Sequence, residues 1–451
     1  MSPAFSSSAR ICLDFGTSFS KASLYLPEGS PWRSTKPLQL GAASGADNAW
    51  LTPSVMFVDE GRIRIGPPAL RAAALAAARG RDPILSFKTI FAARDLEGAL
   101  ALKVKRSIDP SGTLTYRDAV VLYLAHLDQL TRAALARESG LPQDALAAAR
   151  RYTTPIWRRR EEADRSIGRL FDEAAAVSER LGPALVSHEG VSIAQAGDGL
   201  ERARETLGIG QLETGVFEAH AAAAAYAACK ENPARCFLLV DMGAGTTDLA
   251  GFEHETGQFT VMSEIAKARQ SCGLAGDELD QILTALLADK KRLHSSGEQA
   301  ALWRGLQLEA RTLKRDLFEH GKCSFTQPGL KLSASRGELT GSKDYRALAR
   351  ALCDIIEPSL AAVTRRAGEL GVEAVTVLLA GGGANTSLLK DAVKQAIGRQ
   401  RSAITIERLG EGFRLPPNSD AGMQASLPQL AISMGGALAH IEAGAEPALQ
   451  R

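Results

Sequence analysis

One short plan occurs twice in this sequence, and it limits the possible folds more than any other feature. The segments ICLDFGTSFSKASLYL, from Ile11, and FLLVDMGAGTTDLAGF, from Phe237, each run from an apolar strand through an aspartate and a threonine-containing glycine turn into a second strand. Glycine lets a backbone approach a ligand, and successive N–H groups in a tight turn form an anion-binding concavity. One copy in each half predicts two similar domains that face a shared cleft.

The bulk properties fit a multidomain α/β protein. The chain has 451 residues, more than a single core usually supports, and strand and helix patterns alternate in both halves. The formal net charge of +2 gives no bulk support for nucleic-acid or membrane partners. Because the sequence has neither a signal peptide pattern nor an apolar run of about 18 residues, we expect a cytoplasmic protein.

The first glycine turn carries Asp14, Gly16, Thr17 and Ser18. The two hydroxyls could donate to a phosphate bound by the turn. A carboxylate beside a phosphate is repulsive unless a cation lies between them, so Asp14 implies Mg²⁺, whose bound water would bridge to it. The alternative for this segment alone is a β-hairpin turn with a capping aspartate.

The second glycine turn combines amides, hydroxyls and carboxylates. The amides come from Gly243, Ala244 and Gly245, the hydroxyls from Thr246 and Thr247, and the carboxylates from Asp241 and Asp248. If a phosphate binds, the two acids could hold the waters of the same cation or orient an attacking water. A glycine hairpin is again the alternative.

A third glycine turn follows the apolar strand over Val375 to Leu379 and precedes a helix. It contains Gly381, Gly382, Gly383 and Asn385. Bare backbone at a helix N-terminus suits an α-phosphate or a nucleoside. The turn is not a Walker loop, because no Gly-Lys-Ser or Gly-Lys-Thr follows it.

Taken in order, the three turns resemble the phosphate-1, phosphate-2 and adenosine motifs of the actin, sugar-kinase and heat-shock-chaperone ATPase superfamily, from Ile11 to about Ala443. The resemblance implies an α/β, actin-like ATPase fold, with two lobes of duplicated ribonuclease-H-like domains around a central nucleotide cleft. It also implies domain bounds: lobe I over 9–232 (core 9–40 and 150–232, insertion 41–149), lobe II over 233–430 (core 233–271 and 344–430, insertion 272–343), a closing helix over 431–445 that packs on lobe I, and a tail over 446–451.

Further segments resemble the nucleotide-binding domain of the DnaK-type, seventy-kilodalton heat-shock chaperones. They are LTPSVMFV from Leu51, ILSFKTIFAARD from Ile84, YTTPIWRRREEAD from Tyr152, FEAHAAAAAY from Phe217, GLAGDELD from Gly273, LEARTLKRDLF from Leu308 and LPQLAISMGGALAH from Leu427. The resemblance makes Lys88 the catalytic lysine, Pro155 the domain-coupling proline and Glu218 the interdomain glutamate. It places Lys314 and Arg315 in the adenine pocket.

The same resemblance implies how the ligands, ATP or ADP with Mg²⁺, would be held between the lobes. Thr17 and Thr246 would contact the γ-phosphate, and Asp14, Asp241 and Asp248 would hold Mg²⁺-bound waters.

The chemistry would rest on Lys88, Glu218, Asp248 and Thr246. Lys88 would neutralise charge on the γ-phosphate, and Asp248 or Glu218 could position the attacking water. Lys21, seven positions after Asp14, stands where actin-like members carry a phosphate-contacting lysine; the alternative for it is a lysine at a strand edge.

Three residues depart from the chaperone pattern. Ala244 replaces the middle glycine of the usual triplet, Asn385 stands where chaperones place an arginine that stacks on adenine, and Arg311 stands where they place an acid. The final stretch IEAGAEPALQR does not resemble the apolar linker of a full chaperone. The resemblance is therefore to stand-alone, YegD-like relatives that lack the peptide-binding domain.

We expect a DnaK-like nucleotide switch with weak ATPase activity, whose partners are nucleotide and a protein client or co-chaperone. Two alternatives from the same superfamily stay open, a small-molecule kinase of the sugar-kinase type and an actin-like polymerising protein. A further alternative is a protein that binds nucleotide but hardly hydrolyses it.

Overall fold

The computed structural model describes most of the chain between residues 9 and 438. The described ranges are 9–27, 35–138, 140–141, 145, 147–154, 160–205, 212–213, 215–256, 260–291, 295–400, 403–415 and 419–438. Pro155, expected to be the domain-coupling proline, lies outside these ranges, as do the residues after 438.

Within the described ranges, the strands belong to two larger and two smaller sheets. Their bounds are β1 Arg10–Asp14, β2 Phe19–Tyr25, β3 Thr35–Pro37, β4 Thr52–Pro53, β5 Met56–Asp59, β6 Arg62–Ile65, β7 Ala149–Thr154, β8 Val191–Ser192, β9 Val216–Phe217, β10 Cys236–Met242, β11 Thr247–Thr256, β12 Thr260–Cys272, β13 Lys322–Gln327, β14 Leu330–Ser335, β15 Ala374–Ala380 and β16 Ala403–Arg408.

Helices alternate with these strands. The α-helices are α1 Leu40–Ser44, α2 Pro67–Ala76, α3 Leu96–Ala101, α4 Tyr116–Ala136, α5 Arg160–Leu181, α6 Ile193–Glu205, α7 Glu218–Cys229, α8 Gly276–Ala288, α9 Ser296–His320, α10 Arg336–Gly341, α11 Lys343–Glu369, α12 Ser387–Ile397 and α13 Ala421–Ala437. Short 3₁₀ helices span Ala77–Arg79, Phe87–Ala92, Gly182–Val186 and Gly382–Asn385.

The first large sheet has the strand order β3-β2-β1-β7-β9, and β4 pairs with β2 outside this order. Strands β1, β2 and β3 form an antiparallel meander, whereas β7 runs parallel to β1 and β9 runs parallel to β7. Parallel neighbours require a crossover connection. Helix α4 precedes β7 in the chain, and helix α5 lies between β7 and β9.

The second large sheet repeats this topology with the order β12-β11-β10-β15-β16. Again the first three strands in the chain form an antiparallel meander, and the last two pair in parallel. Every residue of the central strand β10 is buried, which accounts for its continuous apolar run. The shared order confirms the predicted duplication, and the α/β, actin-like ATPase fold class is confirmed with it.

The chain divides into two compact units, each with its own core. The first contains the described residues within 1–72, 83–233 and 410–443, and the second those within 73–82 and 234–409. Buried side chains of the first sheet and of helices α4 and α5 form the first core. The second core joins the second sheet to helices α8, α9, α11 and α12. The lobe and insertion bounds expected from the resemblance stay a prediction.

Helix α13 belongs to the first unit, where it packs on α7 and on strands β1 and β2. Its first residue is Ala421, whereas the closing helix was expected from residue 431. Asp420 caps this start, because its carboxylate accepts a hydrogen bond from the Met423 amide at 2.6 Å. Two glycines allow the close packing: a Cβ at Gly435 would lie 1.7 Å from the Ala221 carbonyl oxygen, and one at Gly436 would lie 2.5 Å from the Cys12 sulfur.

In the described part of the chain, we find no helix with the length and apolarity that a bilayer crossing requires.

Candidate functional site

In the first unit, Asp14 ends strand β1 directly opposite Lys21 on β2. The Lys21 ammonium lies 2.7 Å from Asp14 Oδ2, and the Thr153 hydroxyl donates to Asp14 Oδ1 at 2.9 Å. Both charged residues are buried, with 1% of Asp14 and 7% of Lys21 exposed. The structure therefore joins two of the predicted ligand-binding residues to each other through an ion pair.

The turn after Asp14 has a defined scaffold. A Cβ at Gly16 would lie 2.2 Å from the carbonyl oxygen of Phe19, so only glycine fits this turn. The Ser54 hydroxyl donates to the Gly16 carbonyl at 2.7 Å, and the Ser54 amide donates to the Ser18 carbonyl at 2.8 Å. Thr17 and Ser18 are partly exposed at the surface of the turn. The turn is thus held from behind by β4 and the residue after it, while its hydroxyl-bearing residues stay accessible.

Lys88 and Glu218, also in the first unit, form a second ion pair. Lys88 lies in the 3₁₀ helix over Phe87–Ala92, and Glu218 is the first residue of α7, where a carboxylate is favoured by the helix dipole. Two buried aromatic residues, Phe87 and Phe91, anchor the 3₁₀ helix, since Phe87 stacks on Tyr123 at a centroid distance of 4.7 Å. Packing of these rings holds the lysine in place.

In the second unit, the two acids of the second turn face each other. Asp241 on β10 is the cross-strand partner of Asp248 on β11, and on its other side it pairs with Ala380 of β15. The Thr246 hydroxyl donates to Asp248 Oδ2 at 2.9 Å. Only 6% of Asp241 and 4% of Asp248 is exposed, so two carboxylates are buried side by side.

The second turn itself is a four-residue reversal. The Gly243 amide donates to the Thr246 carbonyl at 2.9 Å, and the turn's own carbonyls are capped by helix α8: the amides of Gly276 and Asp277 donate to the carbonyls of Gly243 and Ala244, at 3.0 and 2.8 Å. The Ala244 φ lies outside the left-handed region. A methyl group is therefore compatible with the turn, which accounts for alanine at this position.

The third turn follows β15 and meets the second turn within the same unit. Gly381 has φ 73°, and a Cβ there would lie 2.4 Å from Asp241 Oδ1. A Cβ at Gly383 would lie 2.5 Å from the Cβ of Met242. Both glycines are needed because the backbone of the third turn lies against the end of β10. The second and third turns thus share one edge of the sheet, the carboxyl end of β10 and β15.

The groups at this edge fit a magnesium ion held through water. The side-chain oxygens at this edge belong to two buried carboxylates, Asp241 and Asp248, and to the Thr246 hydroxyl, and oxygen ligands are the ones that Mg²⁺ prefers. Over the described ranges, no group of three or more His, Cys, Asp or Glu side chains could hold a metal directly. Mg²⁺ commonly keeps several waters and binds through one or two carboxylates plus phosphates, so it does not need such a group.

The basic residues of α9 are placed differently from one another. The Lys314 ammonium lies 2.8 Å from Asp280 Oδ1 and donates to the Gly276 carbonyl at 3.0 Å, which joins it to the helix that caps the second turn. Arg311 lies 3.8 Å from Asp277, whereas Arg315 is exposed and pairs with its neighbour Asp316. Lys314 is therefore next to the second turn, and Arg315 is on the outer face of α9.

Asn385, which ends the third turn, accepts a hydrogen bond from Arg408. The Arg408 guanidinium lies 3.2 Å from Asn385 Oδ1, and Arg408 is the last residue of β16, next to β15. A guanidinium is thus present beside this turn, although position 385 itself carries none.

Burial changes the pKa of several groups around these turns. Burial raises the pKa of the Cys12 thiol far above its usual value, and the Asp14 carboxylate adds to that effect. Burial also raises the pKa of Asp277, although the Arg311 guanidinium acts against it. The Cys272 thiol, opposite Thr247, has its pKa raised by burial, with a further contribution from Asp248. These thiols therefore stay protonated and serve as packing groups.

Sequence reasoning missed three residues that contact the predicted ones. Thr153 donates a hydrogen bond to Asp14, Asp280 forms an ion pair with Lys314, and Arg408 donates a hydrogen bond to Asn385. Thr153 is the next-to-last residue of β7, and Asp280 ends the segment GLAGDELD, so position along the chain was a signal that could have found both. Arg408 had no such signal, because its contact depends on the pairing of β15 with β16.

With this geometry, similarity to known proteins becomes informative. Residues 210–407, somewhat less than half of the chain, match the family model described as Hsp70 protein. The matched range contains Glu218, the second and third turns and the basic residues of α9, whereas the first turn and Lys88 precede it. Over this range, the chain is similar to the Hsp70 family, which supports an Hsp70-like nucleotide-binding domain.

Proposed function

We propose that this protein is a nucleotide switch that binds ATP and ADP with Mg²⁺ and hydrolyses ATP slowly. The observation that carries the proposal is the buried pair Asp241 and Asp248, placed between two glycine turns at one sheet edge, within the range similar to Hsp70. Carboxylate oxygens are among the ligands that Mg²⁺ prefers, and one or two of them can hold its waters beside a phosphate chain.

The second unit would bind the nucleotide through backbone and hydroxyl donors. A methyl at Gly243 would meet nothing closer than 3.4 Å, so packing of the protein does not require a glycine there. A bare turn is instead expected where backbone must approach a phosphate. Gly245, Thr246 and Thr247 would complete this phosphate turn. The third turn, with Gly382 and the start of α12, would hold the nucleoside side.

Residues of the first unit would act on the transferred phosphate. Lys88 would neutralise charge that develops on the γ-phosphate, and Glu218 would hold the lysine in position through their ion pair. Thr17 and Ser18 would donate hydrogen bonds from the first turn. Mg²⁺, when present, would supply positive charge that offsets the charge of the phosphates. In the second unit, Asp241 and Asp248 would hold its water ligands, and Asp248 would also orient the attacking water.

The proposed consequence of turnover is a change of conformation between the ATP and ADP states, which a protein client or co-chaperone in the cytoplasm would sense. The similarity to Hsp70 over residues 210–407 supports this chaperone-like role.

Two measurements on the purified full chain test the proposal. Thermal unfolding with ATP or ADP, each with Mg²⁺ or with EDTA, should show a higher midpoint with nucleotide and the largest increase with Mg²⁺. Phosphate release should be slow and should disappear in EDTA. Absence of any nucleotide-dependent shift at millimolar concentrations would refute the proposal. Transfer of phosphate to a sugar from a panel, or filaments that sediment with ATP, would favour the kinase or the polymerising alternative.

A further inference from the structure

Tyr123 of helix α4 belongs to a chain of buried hydroxyls behind the first glycine turn. Its hydroxyl donates to the Ser20 oxygen at 2.9 Å and lies 3.1 Å from the Ser54 oxygen, and the two serine oxygens are 3.1 Å apart. The Ser54 hydroxyl donates to the Gly16 carbonyl at 2.7 Å. All three hydroxyl-bearing residues are completely buried. Burial of hydroxyls is costly unless they are hydrogen-bonded, and these bonds offset that cost.

The donors in this chain fit one direction. Each hydroxyl has a single proton to donate. The Ser54 proton lies on the Gly16 carbonyl, so the bond between the two serines takes its proton from Ser20. Tyr123 in turn supplies the proton that Ser20 accepts. The hydrogen bonds therefore run from Tyr123 through Ser20 and Ser54 to the backbone of the first turn.

The end of this chain fixes the orientation of a peptide group in the turn. The peptide bond between Gly16 and Thr17 is trans, so its carbonyl and its N–H point in opposite directions. Because Ser54 holds the carbonyl towards the buried hydroxyls, the Thr17 N–H points away from them, and Thr17 is partly exposed. An outward amide beside the Thr17 and Ser18 hydroxyls suits a phosphate oxygen.

The ring of Tyr123 contacts a second part of the same unit. It stacks on Phe87 at a centroid distance of 4.7 Å and lies 5.4 Å from the ring of Phe15. Phe87 precedes Lys88 in the 3₁₀ helix, and Phe15 precedes the glycine of the first turn. Stacked aromatic rings have a preferred geometry and stabilise beyond their buried area. Tyr123 therefore contacts, through its ring and its hydroxyl, the supports of both Lys88 and the first turn.

We propose that Tyr123 is a positioning residue for both groups: its hydroxyl orients the first glycine turn through Ser20 and Ser54, and its ring holds the 3₁₀ helix that carries Lys88. All of these residues belong to the first unit. The inference rests on the proposed function, in which this turn and this lysine act on the γ-phosphate. The two effects can be separated, because one uses the hydroxyl and the other uses the ring.

The role of the hydroxyl is tested by calorimetric titration, with Mg²⁺, of ADP and of a non-hydrolysable ATP analogue. Tyr123→Phe and Ser54→Ala each break the hydrogen-bond chain. Each should weaken binding of the analogue about fivefold more than binding of ADP, because ADP lacks the γ-phosphate that the turn would contact. The double variant should lose no more than either single variant, since both substitutions interrupt one chain. Tyr116→Phe, which removes a hydroxyl earlier in α4, is the control and should change neither affinity.

The role of the ring is tested by single-turnover hydrolysis of ATP. Phe87→Leu leaves the hydroxyl chain intact but removes the aromatic stacking that supports the 3₁₀ helix of Lys88. Phosphate release should slow about tenfold, while the affinities for ADP and for the analogue stay within about twofold of those of the unaltered protein. A loss of stability alone would not separate rate from affinity in this way.

Each result bears on one proposal. If Tyr123→Phe does not weaken binding of the analogue more than binding of ADP, or if its effect and that of Ser54→Ala add in the double variant, the hydroxyl chain does not position the turn. A rate for Phe87→Leu equal to that of the unaltered protein would overturn the role of the ring. Failure of the unaltered protein to bind either ligand would instead reject the proposed function.

Discussion

The ammonium of Lys88 and the carboxylate of Glu218 form an ion pair within the first unit, although 130 positions separate them in the chain. Each side chain is about one-tenth exposed, at 11% and 12%. Lys88 comes from a short 3₁₀ helix and Glu218 from the first turn of α7. The pair therefore depends on the fold of this unit, and it connects two of the four residues expected to have catalytic roles.

Removal of the Lys88 charge should affect hydrolysis more than binding. We expect the ATP affinity of Lys88→Met to stay within a few-fold of that of the unaltered protein. Its rate of phosphate release should fall about 100-fold or more, because a preorganised charge acts mainly on the transition state. Single-turnover hydrolysis and ATP titration measure the two effects. Lys36→Met is the matched control, since Lys36 forms a more exposed ion pair with Glu138. Equal hydrolysis rates for the two variants would remove the catalytic assignment.

The glycines of the second and third turns should respond differently to alanine. Gly381→Ala should lower the free energy of unfolding by about 3 kcal/mol, because the left-handed backbone is strained for alanine and the methyl meets Asp241. Gly243→Ala should change it by less than about 0.5 kcal/mol and weaken ADP binding about tenfold. Urea unfolding and ADP titration measure these effects. A folded Gly243→Ala protein with unchanged ADP affinity would argue against phosphate binding at this turn.

Stability of the first unit should depend on pH through His126. This histidine is buried; its Nδ1 lies 2.7 Å from the Leu185 carbonyl, and burial lowers its pKa from 6.5 to about 4. Between these values the unfolded chain binds more protons, so stability falls as the pH falls from about 6.5 towards 4. The full effect is about 3 kcal/mol, with about 2 kcal/mol lost by pH 5.

Urea unfolding at pH 7 and pH 5 checks this dependence. His126→Gln keeps a donor for Leu185 but does not titrate, so its stability should fall about 2 kcal/mol less over that interval. His188→Gln is the control, because His188 is exposed. If His126→Gln and the unaltered protein show the same pH dependence, burial of a neutral histidine is not its cause.

The contact between α13 and α7 should not tolerate a side chain. Gly435→Ala places a methyl 1.7 Å from the Ala221 carbonyl oxygen, and backbone cannot yield as a flexible side chain does. We expect a loss of about 3 kcal/mol or more in the free energy of unfolding. Gly197→Ala in α6 meets nothing within 4 Å and should stabilise the helix by about 0.5–1 kcal/mol. Equal stability of the two variants, measured by urea unfolding, would contradict this close packing.

The sequence by itself determined the duplicated plan and the candidate turns. An apolar run that ends in an aspartate and a glycine is a local pattern, and strands β1 and β10 end at or next to the predicted acids, Asp14 and Asp241. Secondary-structure propensity and the periodicity of apolar residues depend on a few neighbouring residues, so strands and turns can be recognised before the fold is known. The roles of Lys88 and Asn385 came from resemblance, and they stay proposals.

Only the tertiary structure decided which charges meet. Lys21 could have been a surface lysine, but strand register places it on Asp14, and the equivalent register in the second unit places Asp248 on Asp241. Thr153 and Arg408 reach their partners through parallel pairing of strands that are distant in the chain. Such contacts depend on long-range register, which neither spacing nor composition encodes locally. The sequence therefore supplied the chemical groups, and packing assigned each group its partner.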